Sequence, residues 1–191
     1  MEVLRTTGPR AVSGAKATLL KIGLVIGLVI GLRAPLPAHA EMLCQADLEA
    51  APVELEAHTL DGDEISLKTL RGQPVLIDVW ATWCSACRTN LIAANDLAAT
   101  NQAPDLAVIG LSVDHDREDA RAWLEEALPR RALRGWQANP SKTFAALDIR
   151  ALPATVLLDA GGRVLARHEG SDAAELEAFL AHARQCGQKS G

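Results

Sequence analysis

Aromatic residues are scarce in this chain, and tyrosine is absent from it. Aromatics make up 3% of the 191 residues, so Leu, Val, Ile and Ala have to fill most of the core. The sequence also lacks an internal repeat with a period of about 20–50 residues, which excludes a solenoid of stacked repeats. The composition is 49% hydrophobic and 23% charged, which is typical of a globular chain rather than a disordered one.

The N-terminal apolar run is too short to span a bilayer. It covers residues 22–32, about 16 Å as a helix against a hydrocarbon core of roughly 30 Å. Small residues follow it at Ala38 and Ala40, and four basic residues precede it: Arg5, Arg10, Lys16 and Lys21. This arrangement predicts a secretory signal peptide over residues 1–40, cleaved after Ala40. An uncleaved membrane anchor remains the alternative, because Arg33 directly follows the run and the basic region before it is long.

Without residues 1–40, the chain has no excess of positive charge. It keeps 14 basic and 23 acidic residues, a net charge of −9. Nucleic-acid-binding domains carry a basic patch or stripe, and this sequence shows none. We therefore expect no nucleic-acid partner, and a membrane contact only if the N-terminal segment is retained.

Strands and helices alternate along the rest of the sequence. The predicted strands are 53–60, 65–67, 75–80, 105–113 and a pair within 154–170, and the predicted helices are 85–99, 116–128, 139–149 and 172–185. This order predicts an α/β fold in which an N-terminal β-hairpin precedes a mixed central sheet with helices on both faces. The expected division is an N-terminal extension at 41–51, a domain at 52–186 and a tail at 187–191.

Two of the four cysteines, Cys84 and Cys87, lie between a buried strand and a predicted helix. A helix start offers unpaired N–H groups and a positive dipole end, which stabilise the reactive thiolate. The spacing lets one cysteine attack a disulfide and the second resolve the mixed disulfide. Zinc would need four ligands, and Cys44 and Cys186 stand far away in sequence. The pair could also form a purely structural disulfide or remain as two inert core thiols.

The stretch VLIDVWATWCSAC, together with the downstream LPATVLLDAGGRV, resembles the active-site strand and cis-proline region of the thioredoxin superfamily. The two early strands, the export signal and the extra segment at 114–149 look more like the periplasmic TlpA/ResA-type thiol–disulfide oxidoreductases. The similarity covers roughly residues 52–186. It implies a thioredoxin-like fold.

The resemblance implies a role for each residue of the motif. Cys84 would be the exposed nucleophile and Cys87 the buried resolving thiol. Asp78 matches a buried acid that accepts the proton of the resolving thiol, and burial should raise its pKa. Many TlpA-type sequences carry a neutral residue at this position, so Asp78 departs from them. The alternative is that Asp78 is an acid on a partly solvated strand edge without a catalytic role.

The resemblance also implies a docking surface for substrate. Pro153 matches the cis-proline of the superfamily, which would place the Leu152 backbone beside Cys84 for pairing with a substrate segment. Trp83 would belong to the exposed surface around Cys84. The alternative for Pro153 is a trans proline that starts a strand. The alternative for Trp83 is a residue that contributes only to packing.

Cys44 and Cys186 lie near the two ends of the exported chain. Domain ends often lie close together, and if Cys84 and Cys87 form the working pair, these two are left to pair with each other. We expect a structural disulfide between them, with free or intermolecular thiols or a second redox relay as alternatives. His58, His168 and His182 stand alone in sequence, so we expect each to be a surface or packing residue.

These features predict a periplasmic reductase of disulfides in exported client proteins, held at the inner membrane if residues 1–40 stay attached. Ser85-Ala86 places no histidine between the cysteines, which favours a reductant. The resemblance implies electrons from a membrane thiol reductase and clients such as apocytochrome c or copper-site assembly proteins, with no organic cofactor or metal. A disulfide oxidase or isomerase is the first alternative. A non-catalytic binding or copper-delivery module on the same scaffold is the second.

Overall fold

Seven strands form one sheet in the part of the chain that the computed structural model describes, residues 44, 49–100 and 102–188. The strands are β1 Glu56–Thr59, β2 Glu64–Ser66, β3 Val75–Trp80, β4 Ala107–Ser112, β5 Arg134–Gln137, β6 Ala154–Leu158 and β7 Val164–Glu169. The helices are α1 Cys87–Ala99, α2 Arg117–Ala127, α3 Pro140–Leu147 and α4 Ala173–Cys186. A short 3-10 helix at Leu67–Leu70 follows β2.

The predicted signal peptide lies outside the described residues, as do most of the 41–51 extension and the end of the C-terminal tail. Across the described part of the chain, no helix is both long and apolar enough to cross a bilayer.

The strand order is β2-β1-β5-β4-β3-β6-β7, so β3 lies inside the sheet. It runs parallel to β4 and antiparallel to β6. All six residues of β3 are buried, as its nearly continuous apolar sequence predicts for a strand covered on both faces. The sheet is therefore mixed, and the N-terminal hairpin β1–β2 extends it at one edge through β5.

Strand β5 is the element that the sequence interpretation missed. It has four residues, of which only Trp136 is buried, and its polar neighbours hide the strand pattern. Gly135 is needed at its centre, because a Cβ there would lie 2.6 Å from Leu60 Cδ1 and 3.0 Å from Leu124 Cδ2. The close packing of a turn residue, Leu60, and a helix residue, Leu124, against β5 thus requires a residue without a side chain.

Helices cover both faces of the sheet, which confirms the predicted layering. Arg167 Nε donates a hydrogen bond of 2.7 Å to the carbonyl of Leu147, the last residue of α3. The next strand residue, His168, lies against Phe179 of α4, with the ring centroids 6.1 Å apart. Since successive strand residues point to opposite faces, α3 and α4 lie on opposite sides of the sheet.

Candidate active site

The Cys84–Cys87 pair follows the carboxyl end of β3 and closes a disulfide in this structure, with 5.3 Å between the Cα atoms. Helix α1 begins at Cys87, two residues later than the sequence predicted. Cys84 therefore lies in the turn before the helix and not in its first turn. Its carbonyl accepts a 3.1 Å hydrogen bond from the Cys87 N–H, which closes that turn.

The two cysteines differ in exposure. Cys84 keeps 8% of its surface exposed, whereas Cys87 is fully buried. Cys84 is thus buried in this disulfide-bonded state, whereas the resemblance implies an exposed nucleophile. Trp83 beside it is 71% exposed. Of the two cysteines, only Cys84 therefore keeps any exposed surface.

Asp78 is fully buried on β3. It pairs in register with Gly110, and a Cβ on Gly110 would lie 3.0 Å from Leu91 Cδ1 of helix α1. Paired residues of neighbouring strands point to the same face, so the carboxyl group of Asp78 faces the helix that Cys87 begins.

The environment of this carboxyl group is largely apolar. The Thr155 hydroxyl donates a 2.9 Å hydrogen bond to Asp78 Oδ1, while Oδ2 has no hydrogen-bond partner among the described residues. Loss of hydration raises the pKa of Asp78 to about 8, and the Thr155 hydrogen bond opposes that rise. A carboxyl group with this pKa can exchange a proton near neutral pH.

A buried carboxylate that the sequence interpretation missed, Asp114, holds the turn before the motif. Its two oxygens accept hydrogen bonds of 3.2 and 3.0 Å from the Thr82 N–H, and the Thr82 hydroxyl donates another of 2.8 Å. The Ser112 hydroxyl donates a further hydrogen bond of 2.9 Å to Asp114 Oδ2. Asp114 directly follows the predicted strand at 105–113, but the sequence gave no sign of its contact with Thr82, 32 residues away.

The Leu152–Pro153 peptide bond is cis. Pro153 immediately precedes β6, whose first residue Ala154 pairs with Val79 near the end of β3. Leu152 and Pro153 therefore lie at the same end of the sheet's strands as the cysteine pair, beside the carboxyl end of β3. Asn90 of α1 links this loop to the helix, because its Nδ2 donates to the Gly170 carbonyl at 3.1 Å, and the Gly170 N–H donates to the Pro153 carbonyl at 2.9 Å.

Glu169 holds the residues just before the cis-proline. Its Oε2 accepts hydrogen bonds from the backbone N–H groups of Arg150 at 2.9 Å and Ala151 at 3.0 Å. One carboxylate at the end of β7 thus fixes two consecutive peptide units of the loop. Glu169 and Asn90 are positioning residues that the sequence interpretation did not find.

The remaining two cysteines are also joined. Cys44 and Cys186 form a disulfide with 5.3 Å between the Cα atoms and a sequence separation of 142. His182 lies one turn before Cys186 on α4, and one of its ring nitrogens and the two sulfurs lie within 4.8 Å of one another. His182, which stands alone in the sequence, therefore has two sulfur neighbours in the fold.

Three comparisons relate this arrangement to known proteins. A model of the AhpC/TSA family matches residues 48–167. The thiol:disulfide interchange protein DsbE of Escherichia coli strain K12 is 34% identical over 100 residues, which cover 52% of this chain and 51% of that protein. DsbE of Tatumella citrea is 32% identical over 138 residues, which cover 70% of this chain and 72% of the relative.

A solved structure shows the same fold. The thiol:disulfide interchange protein of the thioredoxin family from Chlorobium tepidum TLS superposes with a TM-score of 0.60 at 19% identity, covering 74% of this chain and 99% of that one. The thioredoxin-like fold is thereby confirmed. The chain spans about half the length of the E. coli relative, and the match of the family model over residues 48–167 shows that it belongs to the AhpC/TSA family.

Proposed function

We propose that this chain is an exported thiol–disulfide oxidoreductase that reduces disulfides in client proteins. The observation that carries the proposal is the Cys84–Cys87 disulfide, in which Cys84 keeps 8% of its surface exposed and Cys87 is fully buried. The names of the two DsbE relatives, both thiol:disulfide interchange proteins, support it.

In the reduced protein, the Cys84 thiolate attacks one sulfur of a client disulfide. A bond forms between Cys84 Sγ and that sulfur, and the client's second sulfur leaves as a thiolate. Partial exposure makes Cys84 the attacking residue, because a folded client cannot reach the buried Cys87.

Cys87 then resolves the mixed disulfide. Its thiol proton passes to the ionised Asp78 carboxylate, and the resulting thiolate attacks Cys84 Sγ. The client sulfur held by Cys84 leaves, and the Cys84–Cys87 disulfide forms, so that the client has gained two electrons and, after protonation, two protons. Asp78 suits this step because a raised pKa makes it a stronger base than an ordinary carboxylate.

The loop at Leu152–Pro153 provides the docking surface. A client segment that lies along the Leu152 backbone is placed beside Cys84, and Trp83 offers an exposed apolar contact there. Asn90 donates a hydrogen bond to the Gly170 carbonyl, and Glu169 accepts hydrogen bonds from two backbone N–H groups of the loop. These contacts keep the docking surface in one conformation before the client arrives.

The site is proposed to act in the periplasm, because residues 1–40 have the features of an export signal. Electrons are then supplied by a membrane thiol reductase, and the clients are apocytochrome c or proteins that assemble copper sites. Neither an organic cofactor nor a metal takes part in this cycle.

Trapping of mixed disulfides tests the proposal. Cys87→Ser should accumulate a covalent complex with a disulfide-containing client through Cys84, because nothing resolves the intermediate. Cys84→Ser should form little complex and lose the reduction of insulin. If Cys84→Ser trapped clients as well as Cys87→Ser does, or still reduced insulin, the assignment of roles would be wrong. A non-catalytic binding module would keep its partner in both variants without a covalent bond.

A further inference from the structure

Cys44, His182 and Cys186, here called the terminal cluster, bring two sulfurs and an imidazole together away from the active site. His182 and Cys186 are four residues apart on α4, a spacing that places both side chains on one face of a helix. The disulfide holds Cys44 against that face. The two sulfurs and one ring nitrogen lie within 4.8 Å of one another.

The terminal cluster lies at the opposite end of the sheet from the active site. The Gly187 carbonyl, directly after Cys186, accepts a 3.1 Å hydrogen bond from the Asp105 N–H, just before β4 begins. The active-site turns instead follow the carboxyl ends of β3 and β4. The chemistry of the terminal cluster can therefore be tested separately from that of Cys84 and Cys87.

Thiolate and imidazole are the ligands that Zn²⁺ and Cu⁺ prefer in proteins. In the oxidised protein both sulfurs are spent on the disulfide. A dithiol donor that delivers two electrons and two protons converts the bridge to two thiols and is itself oxidised to a disulfide. A bound metal ion then displaces the two thiol protons.

We propose that reduction of the Cys44–Cys186 bridge turns the terminal cluster into a binding site for one thiophilic cation, Zn²⁺ or Cu⁺. The ligands are the two thiolates and the His182 imidazole. Two of them are fixed on one helix, so the site needs little rearrangement once the bridge opens. Cys186 is 5% exposed, whereas Cys44 and His182 are half-buried, which leaves a side from which an ion can enter. Three protein ligands leave the fourth position of a tetrahedral Zn²⁺ ion to water, while Cu⁺ is satisfied by three.

The experiment uses the full chain carrying Cys84→Ser and Cys87→Ser, so that the terminal cluster supplies the only cysteine ligands. The protein is reduced with a phosphine, which becomes its oxide, and is freed of reductant without air. Zn²⁺ is titrated in competition with a chromophoric chelator, and Cu⁺ in a parallel series with a Cu⁺-specific chelator. We expect one ion per chain in at least one series and none in the oxidised protein. Absence of a one-to-one complex in both series, or equal binding by the oxidised protein, would overturn the proposal.

The ligand set is tested by substitution and by X-ray absorption at the metal edge. His182→Ala and His182→Gln should each weaken the affinity at least tenfold, while His115→Ala, at an exposed histidine elsewhere, should leave it unchanged. The absorption spectrum of the parent should show two sulfur ligands and at least one nitrogen. Circular dichroism checks that each variant is folded. A site that keeps its affinity and spectrum in both folded His182 variants would contradict the proposal.

Discussion

The buried position of Asp78 disfavours the ionised form of its carboxyl group. In the folded protein the pKa of the Asp78 carboxyl group is about 8, whereas the ordinary pKa of an aspartate is 3.8. Below pH 3.8 both the folded and the unfolded chain carry the proton. Between these two values the folded chain keeps a proton that the unfolded chain has released. The free energy of unfolding should therefore fall as pH rises through this window, by up to about 1.4 kcal/mol per pH unit.

Asp78→Asn should remove this loss of stability, because the amide keeps an oxygen for the Thr155 hydrogen bond and does not ionise. Urea unfolding of the oxidised protein, measured at intervals between about pH 4 and pH 8, should show a stability difference in favour of the variant that grows with pH. Asp61→Asn, at an exposed carboxylate, is the matched control and should follow the parent. Parallel profiles for Asp78→Asn and the parent would show that Asp78 is not the buried acid described here.

The same residue links stability to activity. In the proposed mechanism the Asp78 carboxylate must be ionised to accept the Cys87 proton, so the resolution of the mixed disulfide should speed up as pH rises toward 8. Asp78 thus lowers the free energy of unfolding near neutral pH, and in the proposed mechanism it transfers a proton in return.

At the scale of elements, the loop before β6 depends on contacts made by neighbouring elements. Glu169→Ala should leave the Arg150 and Ala151 N–H groups without their carboxylate acceptor. We expect KM for a protein client to rise about threefold to tenfold, in line with one or two lost hydrogen bonds, while kcat changes little. Steady-state kinetics with a protein disulfide measures both constants.

Glu177→Ala, which removes an exposed acid of the same charge from α4, is the control for this prediction and should leave both constants unchanged. A fall in kcat with unchanged KM for Glu169→Ala would mean that the loop does not position the client.

Whether a strand could be predicted from the sequence depends on the length of its apolar run. β3 and β4 have six buried residues each, and their apolar runs identified them. β5 has one buried residue in four, so its sequence has no strand pattern. It forms a strand because it pairs with β1 and β4, which are distant in sequence. The C-x-x-C motif and the proline are local signals that the sequence displays directly. The contacts of Asp114 and Asn90 span 32 and 80 residues, and no local pattern reports them.

At the scale of the whole molecule, the Cys44–Cys186 bridge ties the beginning of the described chain to the end of α4. It closes a loop with a sequence separation of 142. In the chain-entropy model, such a crosslink stabilises the fold by about 4–5 kcal/mol, less any strain in the native state. Cys44→Ser should therefore lower the Tm of the oxidised protein without slowing insulin reduction, because the bridge lies at the far end of the sheet from Cys84.

Calorimetry of the oxidised parent and of Cys44→Ser, together with insulin turbidity assays, measures both effects. An unchanged Tm would show that the bridge is not structural. Loss of insulin reduction in a folded variant would instead point to a redox relay between the two disulfides.

The reductant role proposed for the Cys84–Cys87 pair is tested most directly by its equilibrium reduction potential. Tryptophan fluorescence against a dithiothreitol or glutathione gradient measures it, since Trp83 adjoins the pair. We predict a value near or below about −230 mV, in the range of thioredoxin and the glutaredoxins. A value of about −120 to −180 mV, in the range of DsbA and protein disulfide isomerase, would contradict this role and identify a protein that donates or shuffles disulfides.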